Sequence, residues 1–283
     1  MVTFSPAQVC AKIGAAGKGK CSLGSFNMLV RAFLAGAYIA IGAALATVGS
    51  TGVADKLGAG LAQVVLGALF PIGLILVVLA GAELFTGDAM FAPMALAQGH
   101  IKMGGLIKLW VIVFIGNLIG SLFMAFLVSF GPYVTWDAAC ATATDFGTRA
   151  IDIAKAKVSY TGGMGILSCF FKGILCNWLV CLALFLGLAA DEVISKIVAI
   201  WFPIFAFVAS GFEHCVANMY FIPAGIITNL ITGVGLTEKL NWTTMWTHNI
   251  IWATLGNIVG AVILLVVVYH FSFKKEVQAL GTK

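Results

Sequence analysis

Two apolar stretches of the chain are each interrupted by a glutamate, and the second interruption also carries a histidine. Glu83 lies in residues 81–93, and Glu213 and His214 lie in residues 211–223, where glycine, glutamate, phenylalanine and proline recur 130 residues apart. At bilayer depth an ionisable side chain costs about 3 kcal/mol and is retained mainly for function. Such groups can bind a small solute or pass it a proton. Paired interruptions of this kind are typical of a transport site made by broken helices.

The polar residues near the two interruptions favour a small anion as the solute. A broken helix exposes backbone N–H groups and the positive end of its dipole, and both attract anions. Thr86 offers a hydroxyl, Asn177 and Asn218 offer amides, and His214 offers a ring N–H that can also carry a proton. These four residues are the predicted substrate-binding residues of the pore. For His214 the alternative is a buried, neutral histidine that only packs helices together.

The charged residues beside the interruptions are assigned other roles. A free carboxylate would repel an anion, so we expect Glu83 and Glu213 to accept hydrogen bonds from the backbone of their own breaks. Asp88 is predicted to cap the second half of the first broken helix, because short acceptors favour that position. Lys172 either attracts anions into a vestibule or snorkels to the membrane interface.

The sequence contains no pattern typical of a metal site, a nucleotide-binding loop or a catalytic nucleophile. His214 and Cys215 are adjacent, so their side chains diverge on a helix, and no histidine or cysteine follows three or four residues later. We therefore predict no metal, no cofactor and no enzymatic activity.

Composition defines the elements that must position these residues. The chain has 283 residues, of which 61% are hydrophobic and 10% charged, with a mean hydropathy of +1.06. These values indicate an integral membrane protein, and its apolar runs exceed the roughly 20 residues that a helix needs to cross a bilayer. The net charge of +5 comes from basic residues at loop ends, which is a topology signal rather than a sign of a nucleic-acid partner.

The apolar runs predict six transmembrane spans within one channel domain, residues 1–283. Its predicted parts are an amphipathic segment (1–25), a first repeat (26–130), an extracytoplasmic loop with a surface helix (131–162), a second repeat (163–273) and a tail (274–283). Loops on the side of the termini carry eight Lys and Arg, against five on the other side. The positive-inside rule therefore places both termini in the cytoplasm.

The internal repeat predicts how the six spans are arranged. Residues 116–121 match residues 256–261, and Arg31 aligns with Lys172. Three spans repeated by three spans must cross the membrane in opposite senses. The predicted fold is therefore all-α, with an inverted 3+3 repeat and two broken helices at its centre. The breaks are predicted at residues 83–88 and 210–213, and the second halves are predicted to begin at Ala89 and His214.

Three motifs resemble the signatures of the formate/nitrite transporter family: residues 81–87, 172–183 and 211–219. The resemblance covers nearly the whole chain. It implies an aquaporin-like homopentamer in which each protomer has its own pore. It also implies passage of small monovalent anions such as formate, nitrite, hydrosulfide, acetate or lactate.

The resemblance also implies roles for particular residues. His214 corresponds to the family's central histidine, Thr86 to its loop threonine and Asn177 to its pore asparagine. The family also has a vestibule lysine, for which Lys157 is the nearest candidate, although it is about one helical turn too far from Asn177. The hydrophobic constrictions fall on Phe70, Leu74, Leu84, Phe85 and Phe207.

Together these observations predict passive or proton-coupled transport of formate, or of a similar weak-acid anion, across the cytoplasmic membrane. An anion that loses water in an apolar constriction gains proton affinity, so a proton from His214 or from water would let it cross as the neutral acid. Formate comes first only because it is frequent in the family, and nitrite and hydrosulfide remain alternatives. A channel for water, glycerol or ammonia is a further alternative, although Asn218 is followed by Met219 and not by the Pro-Ala of such channels.

Overall fold

The computed structural model describes residues 3–138, 140–234 and 238–280. Two short antiparallel strands, β1 (Val134–Trp136) and β2 (Ala141–Ala143), form a hairpin after the third span. The helices are α1 (Pro6–Ser22), α2 (Ser25–Ser50), α3 (Val53–Leu57), α4 (Ala59–Leu69), α5 (Ile72–Ala80), α6 (Phe85–Ala97), α7 (Met103–Phe130), α8 (Asp145–Lys157), α9 (Gly162–Ala189), α10 (Val193–Ala209), α11 (Cys215–Thr232) and α12 (Trp242–Leu280).

Among the described residues, six helical segments are long and apolar enough to cross a membrane. They are α2, α4 with α5, α7, α9, α11 and α12. Helix α12 contains two π-helical segments, Met245–Ile250 and Gly260–Val267. The predicted all-α membrane fold is confirmed.

The second half of the chain repeats the packing of the first half. Helix α2 packs along α7, and α9 packs in the same way along α12. The half-helix α6 is covered by α1, and the half-helix α11 is covered by α8. Each repeat therefore begins with a short surface helix that lies over its own broken helix.

The two broken helices are interrupted at matching positions. Gly81 and Gly211 have φ angles of +75° and +68°, a left-handed conformation that glycine adopts without strain. The second halves begin at Phe85 and Cys215, so the prediction that the first resumes at Ala89 is wrong by four residues. The predicted cap at Asp88 is also wrong, because Leu84 is the N-cap residue and Asp88 lies inside α6.

Glycines bring the paired spans into close contact. A methyl group on Gly36 would overlap the backbone of Asn117, and one on Gly120 would overlap the carbonyl of Phe33. In the second repeat, methyl groups on Gly256 and Gly260 would overlap carbonyl groups of α9. Because only glycine fits these positions, the backbones of the paired spans approach closely, as in other membrane proteins.

We predict that Gly120→Ala destabilises the protein and that Gly104→Ala does not. Both glycines lie in α7, but no atom of the described residues outside the local helix lies within 4 Å of a methyl group on Gly104. Overpacking costs about 2 kcal/mol, which exceeds the helix propensity of about 1 kcal/mol that alanine adds. Thermal unfolding in detergent should show a lower Tm for Gly120→Ala alone. Equal Tm values for the two variants would contradict this packing argument.

Candidate transport site

A buried asparagine holds the first break together. The side-chain amide of Asn117 donates to the carbonyl oxygens of Ala32 and Glu83 at 2.8 and 2.9 Å. Its carbonyl oxygen accepts from the backbone N–H of Phe85 at 2.8 Å. One fully buried side chain thus satisfies polar backbone groups on both sides of the break.

Asn257 does the same for the second break. Its amide donates to the carbonyl oxygens of Gly173 and Glu213, both at 2.8 Å, and its own oxygen accepts from the N–H of Cys215 at 2.9 Å. The first N–H of each half-helix is therefore already bonded and does not point freely at a solute. The sequence analysis used the match between residues 116–121 and 256–261 only to align the two repeats. The asparagine repeated in both copies was the missed signal.

Glu213 is buried and is surrounded by side-chain donors. Its Oε1 accepts from Lys157 Nζ at 2.9 Å and from the hydroxyl of Tyr160 at 2.8 Å. Its Oε2 accepts from the amides of Asn218 and Asn249 at 2.6 and 3.1 Å. The prediction that the glutamates accept from their own backbone is wrong, because Asn117 and Asn257 already fill that role.

Glu83 is paired with basic residues in the corresponding way. It forms an ion pair with Lys20 in the last turn of α1, and Arg31 Nη1 lies 3.8 Å from its Oε1. Lys20 Nζ also lies 3.1 Å from Asp88 Oδ1. Burial opposes the charge on Lys20, but the carboxylates of Asp88 and Glu83 raise its pKa on balance. Sequence analysis did not identify Lys20, which reaches the break from a surface helix.

The two breaks open into separate cavities. A cavity of about 400 Å³, the α8 vestibule, is lined by Phe70, Lys157, Tyr160, Lys172, Phe207, Glu213 and His214, among others. A cavity of about 320 Å³, the α1 vestibule, is lined by Lys20, Arg31, Leu74, Glu83, Leu84 and Asp88, among others. Because the repeats are inverted, we infer that the two vestibules open on opposite sides of the membrane.

Apolar side chains lie between the vestibules. The ring of Phe70 is 5.9 Å from that of Phe207, and Phe207 stacks on His214 at 5.8 Å. Leu74 and Leu84 are buried on the side of the α1 vestibule. These four of the five predicted constriction residues therefore line the cavities.

Phe85 is the exception among the predicted constriction residues. Its ring packs edge-on against Trp110 and Phe114 of α7, with centroid separations of 6.0 and 5.2 Å. It lines neither vestibule, because at the first position of α6 its side chain faces the neighbouring span. The structure thus assigns Phe85 to helix packing and corrects the prediction.

A buried contact between two polar side chains joins the first break to the second. Thr86 Oγ1 lies 2.9 Å from His214 Nε2, and His214 Nδ1 accepts from the backbone N–H of Ala217 at 2.9 Å. Because Nδ1 is an acceptor, the neutral ring must carry its proton on Nε2 and donate it to the threonine. The repeat counterparts of these two residues are Val216 and Leu84, so each repeat contributes one polar residue.

The two predicted asparagines have different positions. Asn177 donates to the carbonyl oxygens of Thr86 and Asn257 at 3.0 and 2.8 Å, so it supports the threonine from behind. Asn218 lines the α8 vestibule and donates to Glu213. In each, the side-chain oxygen is buried without a hydrogen-bond partner among the described residues.

This architecture, with inverted repeats and a buried polar contact between two basic vestibules, defines a membrane transport protein. The model of the formate/nitrite transporter family matches residues 7–271, and the chain belongs to that family of multi-pass transporters and channels, which are not enzymes. The resemblance stated from the three motifs is thus confirmed.

The names of the relatives refer to two different anions. The chain is 43% identical to a probable formate transporter of Methanothermobacter thermautotrophicus, over 95% of this chain and 96% of the relative. It is 34% identical to the nitrite transporter NirC of Escherichia coli (strain K12), over 90% and 86% of the two chains. A solved pentameric formate channel with formate bound superposes with a TM-score of 0.74 and 30% identity, over 88% of this chain and 97% of that one.

Proposed function

We propose that the protein carries formate, or a similar small monovalent weak-acid anion, across the cytoplasmic membrane. We further propose a homopentamer with one pore in each protomer and with both termini in the cytoplasm. The probable formate transporter and the pentameric formate channel support formate and the assembly, and the nitrite transporter makes nitrite the second candidate. The observation that carries the proposal is the Thr86–His214 contact between two basic vestibules.

The route begins with electrostatic attraction and ends at an apolar barrier. Lys172 on one side and Lys196 on the other, which form no ion pair among the described residues, draw an anion into the vestibules. Between the vestibules a bare charge would have to lose its water beside apolar side chains, which is costly. Desolvation favours the neutral form, so a weak acid takes up a proton as it enters and crosses uncharged.

The hydrogen bonds of His214 argue against its ring as the source of that proton. A proton on Nδ1 would remove the acceptor for the N–H of Ala217, so protonation of the ring would break its own helix cap. His214 therefore acts as a neutral donor through Nε2. Because Thr86 accepts that bond, its hydroxyl proton remains available to the solute. Water in the vestibule supplies the proton that neutralises the anion.

Flux into proteoliposomes tests this proposal. Formate, nitrite, hydrosulfide, lactate and glycerol are compared with a pH gradient imposed and absent. We expect formate to accumulate about tenfold for each pH unit of an inward proton gradient, because the neutral acid equilibrates. Flux that follows the membrane voltage and ignores pH would show that the bare anion crosses. Glycerol flux without anion flux would favour the neutral-solute channel.

A further inference from the structure

At most matching positions of the two breaks, the residues that line the vestibules are either identical or both apolar. One matching pair differs in charge. Asp88 in α6 corresponds to Asn218 in α11, 130 residues later, and each lines its vestibule. We propose that Asp88 makes the vestibules unequal, so that the α8 vestibule binds the transported anion more tightly than the α1 vestibule does. The inference deepens the proposed transport function and rests on it.

We call inner charges those on the glutamate of a break and on the charged residues linked to it by ion pairs or hydrogen bonds. In the α8 vestibule these are Glu213, Lys157 and Lys172, and they do not cancel. Glu213 is paired with Lys157, and Asn218 contributes a neutral amide to the same carboxylate. Lys172 Nζ donates to the hydroxyl of Tyr160 at 3.0 Å and forms no ion pair among the described residues. Burial and the adjacent Glu213 raise the pKa of Tyr160, so its hydroxyl stays neutral. The positive charge of Lys172 therefore remains uncompensated beside the break and can attract an anionic solute.

The inner charges of the α1 vestibule cancel. Lys20 contacts both Glu83 and Asp88, and Arg31 lies 3.8 Å from Glu83, so two cations face two carboxylates. Asp88 is fully buried, and no other hydrogen-bond partner of its carboxylate occurs among the described residues. Lys20 therefore pairs with two carboxylates, whereas Lys157 pairs with one.

The other charged residues that line the vestibules, which form no contact with Glu83 or Glu213 among the described residues, act in the opposite direction. Half-buried Lys196 adds a positive charge to the α1 vestibule, whereas Arg149 and exposed Asp152 offset each other in the α8 vestibule. Charges open to solvent are screened by salt within about 8 Å. An anion loses its water at the inner charges, so these have the larger influence on its affinity.

The expected consequence is a difference in the KM of the two sides. One charge beside a partly solvated site changes anion affinity about fivefold. In the absence of a driving gradient a passive pathway cannot favour one direction, so Vmax must differ between the sides by the same factor as KM. The difference should shrink as ionic strength rises.

Sided membrane vesicles allow each vestibule to be measured separately. Cys140 is exposed in the loop on the α8 side, so an impermeant maleimide reports vesicle orientation once Cys21, which is half-buried in α1, is replaced by serine. Initial uptake of radiolabelled formate is then measured from each side at equal pH. The variants are Asp88→Asn, Asn218→Asp and the double exchange, which keeps the total charge unchanged.

We expect a KM about fivefold lower from the α8 side in the unmodified protein. Asp88→Asn should lower the KM of the α1 side alone, Asn218→Asp should raise that of the α8 side alone, and the double exchange should reverse the order. Equal KM values on both sides, unchanged by Asp88→Asn, would overturn this inference and leave the transport proposal standing. Absence of flux for every anion tested would overturn both.

Discussion

Replacing Asn257 by alanine is expected to leave almost no folded, monodisperse protein. The side chain makes three hydrogen bonds, to the carbonyl groups of Gly173 and Glu213 and from the N–H of Cys215. The alanine variant removes all three hydrogen bonds: the Glu213 carbonyl and the Cys215 N–H lose their partner, and the Gly173 carbonyl keeps only its bond within α9. At about 1 to 2 kcal/mol for each lost bond, the loss is about 3 to 6 kcal/mol, a large fraction of the stability of a typical protein.

Size-exclusion chromatography and thermal unfolding of the purified protein measure this effect. Asn117→Ala should behave in the same way, because Asn117 occupies the equivalent position in the first break. Asn229→Ala is the matched control, since Asn229 is also buried in a span but its side-chain oxygen has no hydrogen-bond partner among the described residues. If Asn257→Ala and Asn229→Ala unfold at the same temperature, the asparagines do not hold the breaks together.

Most of the fold could be predicted from the sequence, because the sequence features that define it are local or occur in both repeats. Apolar runs longer than a bilayer is thick define the spans, and the repeat of Glu83 by Glu213 locates both breaks. The start of α6 was placed four residues too late. The side-chain oxygen of Asn117, 32 positions away, accepts from the N–H of Phe85 and lets the helix begin before the polar residues end. No local pattern reports such a distant bond.

The candidate site could be predicted from the sequence only in part. His214 and Thr86 stood out because they lie at the breaks, but their contact joins residues 128 positions apart and required the structure. Lys20 was missed because it belongs to a surface helix whose sequence signal is weak, and nothing in its spacing relates it to Glu83. Asn177 was expected to face the solute, whereas its amide is used by backbone carbonyl groups.

The repeat also explains where the chemistry lies. Residues that both copies share, such as the glutamates and Asn117 with Asn257, build the two breaks. Positions at which the copies differ provide the asymmetric features: His214 corresponds to Leu84 of the first repeat, and Thr86 corresponds to Val216 of the second. We infer that the shared positions maintain the scaffold and the divergent positions determine what crosses it.

Replacing His214 by phenylalanine is expected to lower formate flux about a hundredfold. The new ring can still stack on Phe207, as the imidazole does at 5.8 Å. It has neither the Nδ1 acceptor for Ala217 nor the Nε2 donor for Thr86. Without the donor, the threonine hydroxyl loses its orientation, and the neutral acid meets only apolar groups at the centre of the pore.

His214→Asn separates these two losses. Asparagine is a good N-cap, so it should accept from Ala217 and restore stability while remaining too short to reach Thr86. We expect near-normal Tm but flux almost as low as that of His214→Phe. Thr86→Val should lower flux similarly, and adding it to His214→Asn should have little further effect, because the pair acts as one unit.

The dependence on pH decides what the histidine contributes. Since vestibule water supplies the proton, the residual flux of His214→Asn should respond to an imposed proton gradient as strongly as the flux of the unmodified protein does. Had His214 been the proton donor, removing it would abolish that response and leave flux that follows voltage alone. A response retained at low flux therefore identifies His214 as a hydrogen-bond donor that positions the acid, and a lost response would return it to proton transfer.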